Sequence, residues 1–127
     1  MSGALFMSER TDSDFLSHIR EALQRITAYT ETMRSADFFE DIKTQDAVIR
    51  NLEIIGEATK NLSDEIRNNH PEIPWKNIAG MRDRLIHQYF GVNLDIVWDV
   101  AKEELPQLLL HVRNIEKLLQ DEEKKGE

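Results

Sequence analysis

Cysteine is missing from the 127-residue chain, which excludes disulfides and thiolate metal sites and leaves a reducing compartment open. Other metal ligands are sparse. The four histidines, His18, His70, His87 and His111, form no pair at helical ligand spacing and no HExxH pattern, so a metal centre would have to be assembled from distant segments. There is no apolar run near the ~18 residues that a membrane span needs, and no basic stretch leading into an apolar core at the N-terminus. The expectation is a cytoplasmic protein. Period-two alternation, βαβ spacing and a Gly-rich phosphate loop are absent as well. Cations are outnumbered, 16 Lys and Arg against 24 Asp and Glu, and the formal net charge of −8 argues against a non-specific nucleic-acid coat. A small local basic site is still permitted. Lys76, Arg82 and Arg84 form one such cluster, with Lys60 and Arg67 upstream.

What is present reads as helix. Hydrophobic residues make up 40% and charged residues 31%, the composition of a folded globular chain of one domain. Residues 1–10 carry no period and are expected to be a flexible N-terminus, 11–120 a single helical domain, and 121–127 a charged, solvated tail. Thr11, Asp12 and Ser13 are good N-caps for a first helix in which Phe15, Ile19, Leu23 and Ile26 recur at steps of three and four. Residues 33–41 read as a connection with one short turn, where Phe38 and Phe39 plug the core. A second helix is expected from about Thr44 to Asn68, with Val48, Leu52, Ile55, Leu62 and Ile66 on one stripe. Ile49 and Gly56 open a second, narrow face where another backbone could approach closely. Pro71 and Pro74 interrupt the chain, and a third helix is expected from Trp75 to about Phe90, ending at Gly91. Asn93 caps a fourth, with Pro106 forcing a kink or restart before a last stripe of Leu108, Val112, Ile115 and Leu119. The fold class is all-α, an antiparallel bundle of four or five helices.

The chemistry concentrates in Gly80-Met81-Arg82-Asp83-Arg84-Leu85-Ile86-His87-Gln88-Tyr89-Phe90-Gly91. On a continuous helix Ile78, Met81, Leu85, Ile86 and Tyr89 share one sector, and Arg82 falls inside it, where a guanidinium must be paired or line a cavity. Glu53 and Glu57 are available partners. Asp83 and His87 are four apart, so the carboxylate could orient the imidazole and raise its basicity. Arg82 and His87 are separated by roughly 140° on such a helix. Two copies meeting about a two-fold axis would bring two of each into one cleft. That cleft suits RNA cleavage, His87 taking the proton of a ribose 2′-OH and Arg82 neutralising charge on the scissile phosphate. Structural roles compete with this reading: a surface or capping histidine, an ion-paired arginine, a core tyrosine.

Arg82, His87 and Tyr89 stand at the spacing Arg, four residues, His, one residue, Tyr, which resembles the motif of HEPN-domain ribonucleases. Ala47 to Ala58, Ile73-Pro74-Trp75, and the run from Met81 through Trp98 resemble the HepT branch more narrowly. The resemblance implies an all-α HEPN fold, a homodimer with the motif at its interface, and metal-independent endoribonuclease activity with no cofactor. It also implies a toxin whose antitoxin is a minimal nucleotidyltransferase that can transfer AMP to the motif tyrosine. Arg82 and His87 would be catalytic, Asp83 supporting and Tyr89 the modification site; the local basic cluster separately offers Lys76 and Arg84 as RNA contacts. A non-catalytic helical dimer that binds a nucleotidyltransferase or a nucleotide is the alternative, favoured by the acidic net charge.

Overall fold

The computed structural model describes the backbone of residues 11–87 and 91–126, with side chains for all of these except 86 and 87. The N-terminal segment 1–10 and Tyr89 therefore lie outside the described residues. Eight α-helical segments account for most of the described chain: α1 (Asp12–Thr30), α2 (Ser35–Glu40), α3 (Ile42–Lys60), α4 (Asp64–Asn69), α5 (Trp75–Ala79), α6 (Met81–Leu85), α7 (Leu94–Asp99) and α8 (Leu105–Gly126). A π-helical turn, Val100–Glu104, joins α7 to α8, and two short strands, β1 (Ile86–His87) and β2 (Gly91–Val92), pair antiparallel. The class is all-α, as the periodicity predicts.

Three long helices, α1, α3 and α8, form the bundle, and polar ties fix their directions. Asp12 at the start of α1 accepts from the backbone N–H of Ser63 at 2.8 Å and from its hydroxyl at 2.6 Å, just past the end of α3. The two helices are therefore antiparallel. Arg20 pairs with Glu116 at 2.9 Å, while Lys102 donates to the carbonyl of Thr30 at 3.0 Å. Those two contacts run α8 antiparallel to α1 as well.

The predicted stripes supply the core. Ile19, Leu23 and Ile26 of α1, Val48, Leu52 and Ile55 of α3, and Leu108, Val112 and Ile115 of α8 are all buried. Phe38 is fully buried, its ring 5.3 Å from that of Trp98, and Lys102 lies over the Trp98 ring at 5.2 Å. Gln45, itself buried, donates to the carbonyls of Phe38 and Phe39 and so closes the end of α2 onto α3.

Several boundaries differ in detail from the sequence expectation. The helix expected over 44–68 divides at Ser63, whose hydroxyl accepts from the Ile66 N–H and caps α4 while Asp12 holds it from outside. A local cap with a distant partner outweighs continuation. At Pro106 the expected interruption takes the form of a π-helical turn over Val100–Glu104, in which the Leu105 N–H reaches back five residues to the Val100 carbonyl before α8 begins at Leu105. The 121–126 part of the expected tail is exposed but helical, continuing α8. The helix expected over 75–90 differs as well, at the candidate site itself.

The start of α3 carries a testable pH dependence. Asp41 caps it, accepting from the Thr44 N–H at 3.0 Å and the Thr44 hydroxyl at 2.9 Å. The backbone hydrogen bond, followed by the hydroxyl, holds the Asp41 carboxyl below the usual carboxylate value. A lowered native pKa means the folded state prefers the charged form, so this stabilisation is present at neutral pH. It is lost as the pH falls below about 4 and through the native pKa. Asp41→Asn is expected to flatten the acid limb of the thermal melting profile; an acid limb identical to wild type would remove the cap from the account.

Candidate active site

Gly56 sets the geometry. A Cβ at this position would stand 3.3 Å from the Ile78 carbonyl, 3.5 Å from the Ala79 carbonyl and 3.5 Å from the Met81 Cβ. The close backbone approach expected on this face of α3 is thus made by the junction of α5 and α6. Trp75, buried, donates its indole N–H to the His70 carbonyl at 2.9 Å and pins the start of α5. Ile78, Met81 and Leu85 then face the core.

The single helix expected over 75–90 is not formed. It is interrupted at Gly80 and ends at Leu85, whose carbonyl accepts from the Asn93 N–H at 3.0 Å. Ile86 pairs with Val92 and His87 with Gly91, and Gly91 has φ +76°, the left-handed region that glycine adopts without a steric penalty. Bonds to the returning chain replace those that would have continued the helix, and the β-branched and aromatic residues of this run have modest helix preference. Two inferences drawn from the helical wheel are corrected. His87 lies in a strand, so the four-residue helical relation to Asp83 and the roughly 140° separation from Arg82 do not apply. Arg82 is exposed rather than within the apolar sector, because Met81 and Leu85 take the buried face of the short α6.

The two arginines of α6 have different surroundings. Arg84 makes a two-point contact with Glu104 of the π-helical turn, at 3.0 and 3.2 Å, with Arg84 about one-third exposed and Glu104 about half. The expected RNA contact thus has its guanidinium engaged within the chain. Arg82 makes no ion pair among the described residues, with Glu53 and Glu57 included in that statement. It lines a polar cleft of about 240 Å³ together with Arg50, Glu53, Gly56, Glu57, Lys60 and Ala79. Lys76 and Asp83 are exposed, and neither has an ion pair among the described residues. Arg67 serves its own neighbourhood, donating to the Leu62 carbonyl. Among the described residues no group of three or more His, Asp or Glu is placed to hold a metal, and no helix is long and apolar enough to cross a membrane.

Nothing in the local sequence by itself places Arg50 on this cleft, and Lys60 stands out only as a cation upstream of the Arg82 cluster. The available signal was the spacing Arg50, Glu53, Glu57, Lys60, one face of a helix at steps of three and four, on either side of Gly56.

Residues 19–115 match the model of the family described as Ribonuclease HepT-like. The chain belongs to the HepT-like ribonuclease family. Its relatives include a Thermococcus cleftensis protein named "Probable ribonuclease HepT", 49% identical over 100 residues, or 79% of this chain and 91% of that one. Two further relatives carry names that give them provisionally as RNases. One, from Methanocaldococcus jannaschii, is 43% identical over 113 residues, covering 89% of this chain and 91% of its own. The other, from Caldanaerobacter subterraneus, is 43% identical over 106 residues, covering 84% and 95%. No solved structure is a significant match. The match runs from within α1 to the middle of α8, so the HepT-like unit contains the Gly56 contact, the α5–α6 junction and the β1–β2 pair.

Proposed function

We propose that this HepT-like protein is a metal-independent endoribonuclease toxin, cytoplasmic and homodimeric, in which Arg82 and His87 carry the chemistry. The observation that supports it most is the contrast within α6: Arg84 is tied to Glu104, whereas Arg82 is exposed, unpaired among the described residues and set on a polar cleft. A guanidinium held at the surface without a carboxylate partner is ready to take a phosphate, which it can grip with two parallel N–H donors.

His87 follows five residues later, in β1, where the pairing with Gly91 fixes its backbone. In the proposed reaction His87 accepts the proton of a ribose 2′-OH as O2′ attacks the adjacent phosphorus. Arg82 neutralises the charge that grows on the phosphate oxygens. The P–O5′ bond breaks, and the leaving oxygen takes a proton from the second copy's imidazolium across the dimer axis. The products are a 2′,3′-cyclic phosphate and a 5′-hydroxyl. Asp83 supports the site as a nearby carboxylate, and Lys76 supplies a flanking contact to RNA.

The proposed partner is a minimal nucleotidyltransferase antitoxin. AMP transfer to Tyr89 would place bulk and negative charge two residues from His87, and both would oppose entry of an RNA phosphate. Expression of the chain alone is expected to arrest growth, with relief by His87→Ala or Arg82→Ala and by co-expression of the nucleotidyltransferase. Persistent arrest in both variants would remove the two residues from the mechanism.

A further inference from the structure

The cleft beside Arg82 gathers three cations, Arg50, Lys60 and Arg82, and two carboxylates, Glu53 and Glu57, around Gly56. Four arginines of the described chain find carboxylates, Arg20 with Glu116, Arg34 with Asp37, Arg67 with Asp64 and Arg84 with Glu104, whereas Arg25 and Arg113, like Arg50 and Arg82, form no ion pair among the described residues. Within the cleft Arg50 and Glu53 stand three apart on α3, as do Glu57 and Lys60, yet no ion pair forms among the described residues. Glu53 and Glu57 are four apart, a like-charge arrangement that disfavours a helix. Arg50, Lys60 and Arg82 against two carboxylates leave the cleft one positive charge in excess, on a chain whose net charge is −8. The side chains of Arg50, Glu57, Lys60 and Arg82 are exposed, and the floor is Gly56, where the α5–α6 backbone lies against α3.

We infer that Arg50 and Lys60 form a phosphate track for single-stranded RNA, continuous with Arg82 and running along α3. The inference rests on the ribonuclease reading and adds to it the path by which substrate reaches Arg82. From Arg50 to Lys60 is ten residues of helix, about 15 Å, enough to meet more than one backbone phosphate. Glu53 and Glu57 stand between the cations and weaken their grip. The track is therefore shallow in potential, and Arg82 is its one cation on α6. This reconciles RNA binding with an acidic protein: the favourable field is confined to one cleft while the rest of the surface repels nucleic acid.

The test separates binding from cleavage. A short fluorescein-labelled 2′-O-methyl oligonucleotide, which offers no 2′-OH to the reaction, is titrated by anisotropy over a range of salt against wild type and three variants. Arg50→Ala/Lys60→Ala is expected to weaken binding at least tenfold and to reduce the salt slope by about 1.4, two phosphates at ~0.7 each for single strands. Glu53→Gln/Glu57→Gln is expected to tighten binding, because it removes the opposing charge. Lys117→Ala, exposed on α8 outside the cleft, is expected to leave the slope as it is. With a cleavable RNA, the Arg50/Lys60 variant should raise KM more than it lowers kcat.

An unchanged affinity and slope in the Arg50/Lys60 variant, while wild type still binds and cleaves, would overturn the track and leave the ribonuclease reading standing. Wild type that binds the probe through this cleft but cleaves no RNA would overturn the ribonuclease reading alone. If the cleft instead received a basic protein segment, the signs would reverse: the Glu→Gln variant would lose the partner and the cation variant would hold it more tightly. Thermal melts of each variant confirm that a lost slope is not a lost fold.

Discussion

His87→Ala and Arg82→Ala are each expected to slow RNA cleavage by about 10²–10⁴-fold while leaving the fold intact. The size follows from their assigned roles: one removes the proton acceptor, the other the charge that stabilises the transition state. Because the two act in one step, the double variant should fall little further than either single one. Arg82→Lys should rescue poorly, since a point charge on a flexible stem cannot reproduce a planar, two-point grip on phosphate. Arg84→Ala is the informative contrast. Its guanidinium is bound to Glu104 and partly exposed, so its loss should cost stability of ~1 kcal/mol or less. The accompanying fall in cleavage should be far smaller than for Arg82. Single-turnover rates on one RNA decide the matter, and equal losses for Arg82 and Arg84 would erase the distinction on which the site is built.

Phe38→Ala is expected to be among the most damaging single substitutions to stability, at about 3–5 kcal/mol. The ring is fully buried and anchors more than its own volume. It packs 5.3 Å from Trp98, Trp98 carries Lys102 over its face at 5.2 Å, and Lys102 reaches the Thr30 carbonyl at the end of α1. A cavity at Phe38 would loosen that chain of contacts as well as forfeit transfer energy. Set against a total stability of roughly 5–15 kcal/mol for a domain, this is a large share, visible as a fall in Tm of roughly 10–20 °C. Phe39, 38% exposed, is the control, and Phe39→Ala should shift Tm by much less. Equal shifts for the two neighbours would mean that the α2 plug has been assigned to the wrong ring.

Much of this was legible in the sequence because it depends on periodicity. The stripes of α1, α3 and α8 bury most of the residues that their spacing selects, Phe15 and Leu119 only partly, and Gly56 marked the face where another backbone comes close. What escaped depends on partners far away in the chain. Nothing near Ser63 reveals that Asp12, 51 residues earlier, will hold it as a cap. Nor does the run from Met81 to Phe90 announce that the Leu85 carbonyl will be taken by Asn93, which ends the helix before His87. A helical wheel drawn through that break assigned Arg82 to the wrong side. Arg82, His87 and Tyr89 could still be picked out, because the motif is a spacing along the chain and survives a change of secondary structure. Arg50 lies in the Ala47–Ala58 stretch but has no motif spacing of its own that marks a role, and its place on the cleft follows only from the packing of α3 against α5 and α6.

The most direct test of the central claim is an end-group analysis of a 5′-labelled RNA incubated with purified protein in the presence of a metal chelator. Cleavage is expected to give fragments ending in 2′,3′-cyclic phosphate, with 5′-hydroxyls on the downstream pieces, and the His87→Ala protein is expected to give none. Cleavage that persists in that variant, or fragments ending in 3′-hydroxyls, would contradict that claim.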